Sequence, residues 1–251
     1  MRGLDSSWGV EVMASNAKFD LVNPLVRSKQ REANADPEGF WARAADELPW
    51  FRRWDTVFDW QPPTFRWYIG GETNLAYNAI DRHVAEGRGG HPALIALDER
   101  GGRNVFTYLQ LQTEVKRAAA ALRALGIGTG DRVAVYMPTC PEATVLMLAC
   151  LRIGAIHMVV FAGFGANALA ERMKLAGAKA LFAADITYRR GQDVALLPVV
   201  GDAADIARRE GDLEHLVVLK RSAASTLPAG VLTWDAFLAA GAGHDDAHVV
   251  L

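Results

Sequence analysis

The sequence predicts an α/β fold, in which an irregular, aromatic-rich helical N-terminal segment packs on the first part of a mixed, largely parallel, doubly wound sheet. Three observations carry this expectation. From about residue 92 onward, short runs rich in β-branched residues alternate with stretches of helical period. The connections between them are short, as right-handed strand-helix-strand crossovers require. Five of the seven tryptophans (Trp41, Trp50, Trp54, Trp60 and Trp67) instead crowd into residues 17 to about 85, where Pro49, Pro62 and Pro63 interrupt any regular pattern.

Residues 1–16 carry one arginine and no apolar core, so they read as a disordered leader rather than a signal peptide. In 17–85 the prolines predict short helices joined by turns. One of these begins with Asp36 as N-cap and Pro37 at the first helical position. Leu94 to Leu97 and Asn104 to Thr107 form a hairpin around Glu99-Arg100-Gly101-Gly102. Thr107 and Gln110 make a capping box, and Leu111, Val115, Ala118, Ala119 and Leu122 recur at helical spacing behind it. A strand follows over 132–137. Thr139 and Glu142 suggest a second capping box before a helix, 141–152, that is apolar nearly all round and therefore buried. Beyond it the pattern gives a strand at 156–161, a helix at 166–176, a strand at 179–184, a helix through 202–210, a strand at 215–219 and a last short helix from Thr233. Val249 to Leu251 reads as the start of another strand, which suggests that 86–251 is the incomplete first part of a large domain.

Composition excludes several classes. Half the residues are hydrophobic, and a net charge of −2 gives no general attraction to nucleic acid or to an anionic membrane. The longest apolar stretch, 145–161, is broken by Arg152 and His157, so no membrane span is expected. Cys140 and Cys150 are the only cysteines, and neither they nor the six scattered histidines make a metal-ligand spacing. Reduced thiols without a disulfide framework suggest a cytoplasmic protein.

Two runs carry chemistry. Gly163-Phe164-Gly165-Ala166-Asn167-Ala168 follows a strand, opens a helix and has Asp185 at the end of the next strand, as a dinucleotide-binding turn would. Small residues are equally what any tight strand-to-helix turn requires. Tyr188-Arg189-Arg190-Gly191-Gln192 places adjacent guanidinium forks before a glycine, a compact turn suited to phosphate oxygens. The same run also suits a solvated charged loop. His157, among apolar neighbours in its strand, reads as a core residue, and Asp131-Arg132 as a solvent-facing pair before its strand.

Longer runs extend the reading. Trp67 to His83 reads Trp-Tyr-Ile-Gly-Gly-Glu-Thr-Asn-Leu-Ala-Tyr-Asn-Ala-Ile-Asp-Arg-His. Asp131 to Pro138 is followed by Pro141-Glu142-Ala143, and Ala155 to Phe164 reads Ala-Ile-His-Met-Val-Val-Phe-Ala-Gly-Phe. Together these resemble the opening third of the AMP-forming acetyl-CoA synthetase family, adenylate-forming ligases of acetate and propionate. The resemblance implies an acetyl-CoA synthetase-type N-terminal segment over 17–85 and part of an AMP-binding large domain over 86–251. It implies a parent that joins a short-chain carboxylate, acetate before propionate, to coenzyme A at the expense of ATP with magnesium, in the cytoplasm.

By the same resemblance, Gly163 borders the pantetheine tunnel of coenzyme A, with Ala162 in place of a neighbouring glycine. Arg189 and Gly191 match a run that holds its 3′-phosphate. Gln192 stands where the family has a cation, and Arg190 offers a partial substitute. No Gly-Lys dipeptide occurs in the chain, so the ATP-phosphate loop is absent, and no catalytic constellation replaces it. The resemblance therefore implies a fragment inactive alone, with no nucleic-acid or membrane partner and with the rest of its own parent chain as partner. Two further readings stay open: half of a dinucleotide-binding oxidoreductase, and a non-catalytic interaction module.

Overall fold

A computed structural model of the chain describes residues 23–251; the expected leader at 1–16 lies outside them. The described residues divide into two compact units, one formed by residues 23–48 together with Asp55–Ile69, the other by Pro49–Trp54 and Gly70–Leu251.

In the first unit, α1 (Pro24–Ala35) and α2 (Pro37–Ala45) each start with proline in the first turn behind a side-chain cap. Asn23 Oδ1 accepts from Leu25 N at 2.8 Å, and Asp36 Oδ1 accepts from Gly39 N at 3.0 Å. The expectation of helices and turns throughout fails over residues 56–69, where β1 (Thr56–Gln61) and β2 (Thr64–Ile69) form an antiparallel hairpin. The Pro62-Pro63 pair is its two-residue loop, and the peptide between the prolines is cis. Alternation decides for strands, because Phe58 lies opposite Trp67 and Trp60 opposite Phe65 on one face. The Phe58 and Trp67 rings sit 4.5 Å apart, and Asp59 on the other face takes a 3.0 Å ion pair from Arg66.

The second unit is built on a five-stranded sheet, wholly parallel rather than mixed. Its strands are β5 (Arg132–Tyr136), β6 (Ile156–Val159), β7 (Ala178–Ala184), β10 (His215–Leu219) and β11 (Leu232–Thr233), in the order β11-β10-β7-β5-β6. The antiparallel pairs stand apart as hairpins: β3 (Pro92–Leu97) with β4 (Arg103–Thr107), and β8 (Ile186–Arg189) with β9 (Gln192–Ala195). Alternating side chains feed two cores. Val133, Val135, Phe182 and Val217 join α3 (Tyr108–Ala124), α4 (Pro141–Arg152) and α7 (Trp234–Ala240) on one face. Ala134, Tyr136, Leu181 and Val218 join α5 (Ala166–Ala176) and α6 (Leu197–Glu210) on the other. Helices cover both faces, as a doubly wound sheet demands.

The Thr107 capping box forms in both directions, with Gln110 N donating to Thr107 Oγ1 at 3.2 Å and Thr107 N to Gln110 Oε1 at 2.9 Å. The box expected at Thr139 does not form. Pro141 takes the first helical position, which makes Cys140 the cap and leaves Glu142 one residue short of the spacing a box needs. Helix α6 starts at Leu197, ahead of the expected 202–210, because Pro198 is tolerated in a first turn. Two π-helical turns, Tyr77–Asp81 and Val84–Arg88, also lie in the region expected to hold short helices.

Asp131 and Arg132 are not a solvent-facing pair. Asp131 accepts from Lys179 Nζ at 2.7 Å and Gly128 N at 2.9 Å, while Arg132 donates to the Ala176 and Gly177 carbonyls at 2.7 and 2.6 Å. Residues 249–251 form no strand. Leu251 and Thr73 exchange backbone bonds at 3.1 and 2.8 Å, Val249 N donates to Arg152 O at 2.9 Å, and Arg123 reaches the Asp245 and Ala247 carbonyls at 2.7 and 2.9 Å. Beneath this segment Arg152, 3% exposed, pairs with Asp81 at 2.8 Å.

Candidate functional site

Strands β6 and β7 lie on opposite sides of β5, so the connections leaving the carboxyl ends of β5 and β7 diverge there. Such a divergence opens a crevice above the sheet, where doubly wound folds bind ligands. A cavity of about 660 Å³ occupies this position. It is lined by Met137 to Thr139 after β5, Val159 to Ala162 after β6 and Ile186 to Arg189 after β7.

Arg189 ends β8 with its guanidinium over the Phe161 ring, 5.2 Å from the centroid. Gly163 lies against both groups. A β-carbon there would stand 2.6 Å from Phe161 Cε1 and 3.1 Å from Arg189 Nη2, so the absence of a side chain lets turn, ring and guanidinium come together. The turn is tied down by Tyr136, whose hydroxyl donates to Phe164 O at 2.8 Å and is raised above its ordinary pKa by burial. Of the expected site residues, Arg189 lines the cavity, and Gly163 lies just behind its wall against Arg189 and Phe161.

Arg190, Gly191 and Gln192 do not line the cavity. Arg190 and Gly191 are the two-residue tip of the β8–β9 hairpin, with φ of +51° and +80°, and Gln192 opens β9 opposite Arg189. Positive φ at both central residues is the turn that matches the twist of paired strands. The local pattern, read as a loop after a strand, is a hairpin whose glycine is set by that turn.

Asp185 does not have the geometry of a ribose ligand. Its side chain is 0% exposed. Oδ1 accepts from Ile186 N and Arg221 N at 2.8 Å each, and Oδ2 accepts from Ser222 N at 3.0 Å. The carboxylate thus binds the chain itself, fixing the loop after β10 to the end of β7. His157 sits half-buried on β6 with an unpartnered buried Nδ1, and burial lowers its pKa. It lies outside the cavity lining.

Three lining residues escape local sequence reasoning. Phe161 keeps its ring 62% exposed at the end of β6. Arg100, from the β3–β4 turn, pairs with Asp193 and covers the Tyr188 ring at 4.4 Å. Arg221 arrives from the loop that follows β10. Only the phenylalanine beside a glycine turn offered a signal; the arginines reach the site through tertiary packing, Arg100 from a separate hairpin and Arg221 from the loop after β10.

Chemically the cleft can hold an anion and a flat ring, since guanidinium forks match phosphate oxygens and an exposed aromatic face accepts stacking. No thiol nucleophile stands ready: burial pushes both Cys140 and Cys150 up to about 12. Among the described residues no group of three histidine, cysteine or acidic side chains is placed to hold a metal ion. No described helix is long and apolar enough to cross a membrane.

Residues 27–79 match the acetyl-coenzyme A synthetase N-terminus and residues 81–232 the AMP-binding enzyme family. The acetyl-coenzyme A synthetase of Deinococcus radiodurans is 46% identical over 215 residues, 84% of this chain and 33% of that protein. That of Streptomyces coelicolor is 46% identical over 192 residues, 76% of this chain and 29% of that protein. The structure of acetoacetyl-CoA synthetase from Streptomyces lividans superimposes with a TM-score of 0.76 at 24% identity, over 88% of this chain and 33% of that one, which shows the shared fold. The chain spans about a third of the length of the curated relatives it matches. With an acetyl-coenzyme A synthetase N-terminus followed by an AMP-binding region over more than half its length, the chain belongs to the AMP-binding enzyme family, as an N-terminal portion of the acetyl-CoA synthetase type.

Proposed function

We propose that this portion supplies the coenzyme A-binding wall of an AMP-forming acyl-CoA ligase. In the full-length parent a short-chain carboxylate, acetate first and propionate second, attacks ATP to give acyl-AMP and pyrophosphate. The thiol of coenzyme A then displaces AMP, forming the thioester and releasing a proton. The work is assigned to the cytoplasm. The observation that carries the reading is the pairing of Arg189 and Phe161 in the cleft beyond β5 and β7, against the bare backbone of Gly163. Arg189 takes the 3′-phosphate of coenzyme A, Phe161 supports its adenine, and Gly163 keeps the approach open. Arg190, on the hairpin tip with Gly191, and Gln192 at the start of β9 add contacts at the outer edge of the same phosphate. ATP and magnesium are held mostly by residues outside this chain, so the chain binds coenzyme A without turning it over.

Calorimetric titration of the purified chain with coenzyme A tests this. Saturable one-to-one binding is expected, weakened about tenfold by Arg189→Gln through loss of one charge-assisted bond. No acyl-CoA should form from acetate, ATP and coenzyme A. Absence of coenzyme A binding, or tighter binding of a nicotinamide dinucleotide, overturns the reading.

A further inference from the structure

Arg221 lines the cleft beside Arg100 and Arg189. Of the three arginines lining the cavity, Arg100 is engaged by Asp193 and the Tyr188 ring, and Arg189 lies over Phe161. The Arg221 guanidinium has no hydrogen bond or ion pair among the described residues, although the residue is half-buried. Its backbone is nevertheless anchored. Arg221 N and Ser222 N both donate to the fully buried Asp185 carboxylate, at 2.8 and 3.0 Å. A fixed backbone carrying an unpartnered cation into a cavity is the arrangement of an anion-binding group, because a half-buried guanidinium gains most from a charged acceptor.

The neighbouring acids do not fill that place. Asp98 has its pKa held low first by Gly102 N and then by Arg100 N, and only to a lesser degree by the Arg221 charge. Those two amides donate to its Oδ1 at 2.9 and 2.8 Å. Glu99 is the only other acid lining the cavity, so three arginines face two carboxylates there. Arg221 and Arg189 both line the cavity but come from different connections, Arg221 from the loop after β10 and Arg189 from β8, which follows the neighbouring strand β7.

We propose that Arg221 is a second phosphate-binding residue of this cleft. It takes the 5′-diphosphate of the nucleotide whose 3′-phosphate lies at Arg189 and whose ring lies on Phe161. The cleft is then selective for an adenine nucleotide phosphorylated at both ends of its ribose. The inference rests on the coenzyme A reading above, and it adds a residue and a phosphate to it.

The test is a titration of the 251-residue chain, its Arg221→Gln form and its Arg189→Gln form with coenzyme A, dephospho-coenzyme A and inorganic phosphate. Dephospho-coenzyme A keeps the diphosphate and lacks the 3′-phosphate. Arg221→Gln is expected to weaken both coenzyme A and dephospho-coenzyme A about tenfold, whereas Arg189→Gln weakens only coenzyme A. Inorganic phosphate should compete only weakly, since it lacks the ring and the second phosphate.

Thermal unfolding of Arg221→Gln should match the wild type, because its side chain holds nothing in the fold. Should the glutamine form fail to fold, Arg221→Lys keeps the charge without the fork and is expected to bind dephospho-coenzyme A about threefold more weakly. Wild-type affinity for dephospho-coenzyme A in either variant overturns the inference while coenzyme A binding at Arg189 stands. Loss confined to the 3′-phosphate overturns the assignment of the diphosphate. Competition by inorganic phosphate as strong as by coenzyme A reduces the site to a general anion pocket. A wild-type chain that binds no coenzyme A removes both readings together.

Discussion

Asp185 is where a single substitution separates a structural carboxylate from a ligand-binding one. Its two oxygens accept three backbone N–H groups, from Ile186, Arg221 and Ser222, at a position with no solvent exposure. Bonds to a charged acceptor contribute roughly 1.5–3 kcal/mol each, and a buried donor left without a partner costs a similar amount. Asp185→Asn preserves the shape and one oxygen. The amide keeps the two donors at Oδ1 and sets its NH₂ against Ser222 N, so about 2 kcal/mol is lost. Asp185→Ala abandons all three donors. Because they share one acceptor group their costs do not simply add, and a loss of about 4 kcal/mol is expected. Urea unfolding of the two variants, followed by tryptophan fluorescence, reads both values. Equal stability of wild type and Asp185→Ala would refute the reasoning, as would an asparagine variant no better than the alanine one. An oxidoreductase site predicts the opposite behaviour, in which the fold is untouched and a cofactor is lost.

Three other outcomes follow from the same structure. Cys140 and Cys150, buried and raised to about 12, should resist a thiol reagent at pH 8 in the folded chain and react promptly in urea; rapid labelling of the native protein would contradict their burial. His83, His157 and His248 all have pKa values lowered from 6.5, first of all by burial. The unfolded chain therefore binds protons that the folded chain refuses, and stability present above about pH 6.5 should fall as the pH drops below it; equal unfolding midpoints at pH 7.5 and 5.5 would count against this. Arg190 holds φ at +51° in the first position of a turn that prefers asparagine before glycine, so Arg190→Asn should raise stability by about 0.5–1 kcal/mol, checked by the urea midpoint.

Much of the large unit was legible because its signals are local. The alternation beyond residue 92, the Thr107 box and the apolar stripe of α3 depend on residues within one or two turns of each other, and each stands where the spacing put it. The errors share a cause as well. Pro62 and Pro63 were weighed as breakers of helices, whereas between two alternating aromatic runs they close a hairpin. Thr139 and Glu142 have the letters of a capping box, but Pro141 moves the cap to Cys140. Arg190-Gly191 reads as a charged loop until Ile186 is seen paired with Ala195.

The sequence by itself determined the α/β class, the family resemblance, the two buried thiols and the pairing of a glycine turn with Arg189 as candidate site residues. It could do so because periodicity, capping and motif spacing are properties of neighbours along the chain. Only the tertiary structure decided that Gly163 and Arg189 touch, that Phe161 lies under the guanidinium, that Asp185 is sealed by its own backbone, and that Arg100 and Arg221 reach the same cavity. Those facts depend on the strand order β11-β10-β7-β5-β6, which brings the ends of distant strands together above β5. The order is set by which faces the helices bury, an energy summed over the whole sheet and written in no single segment.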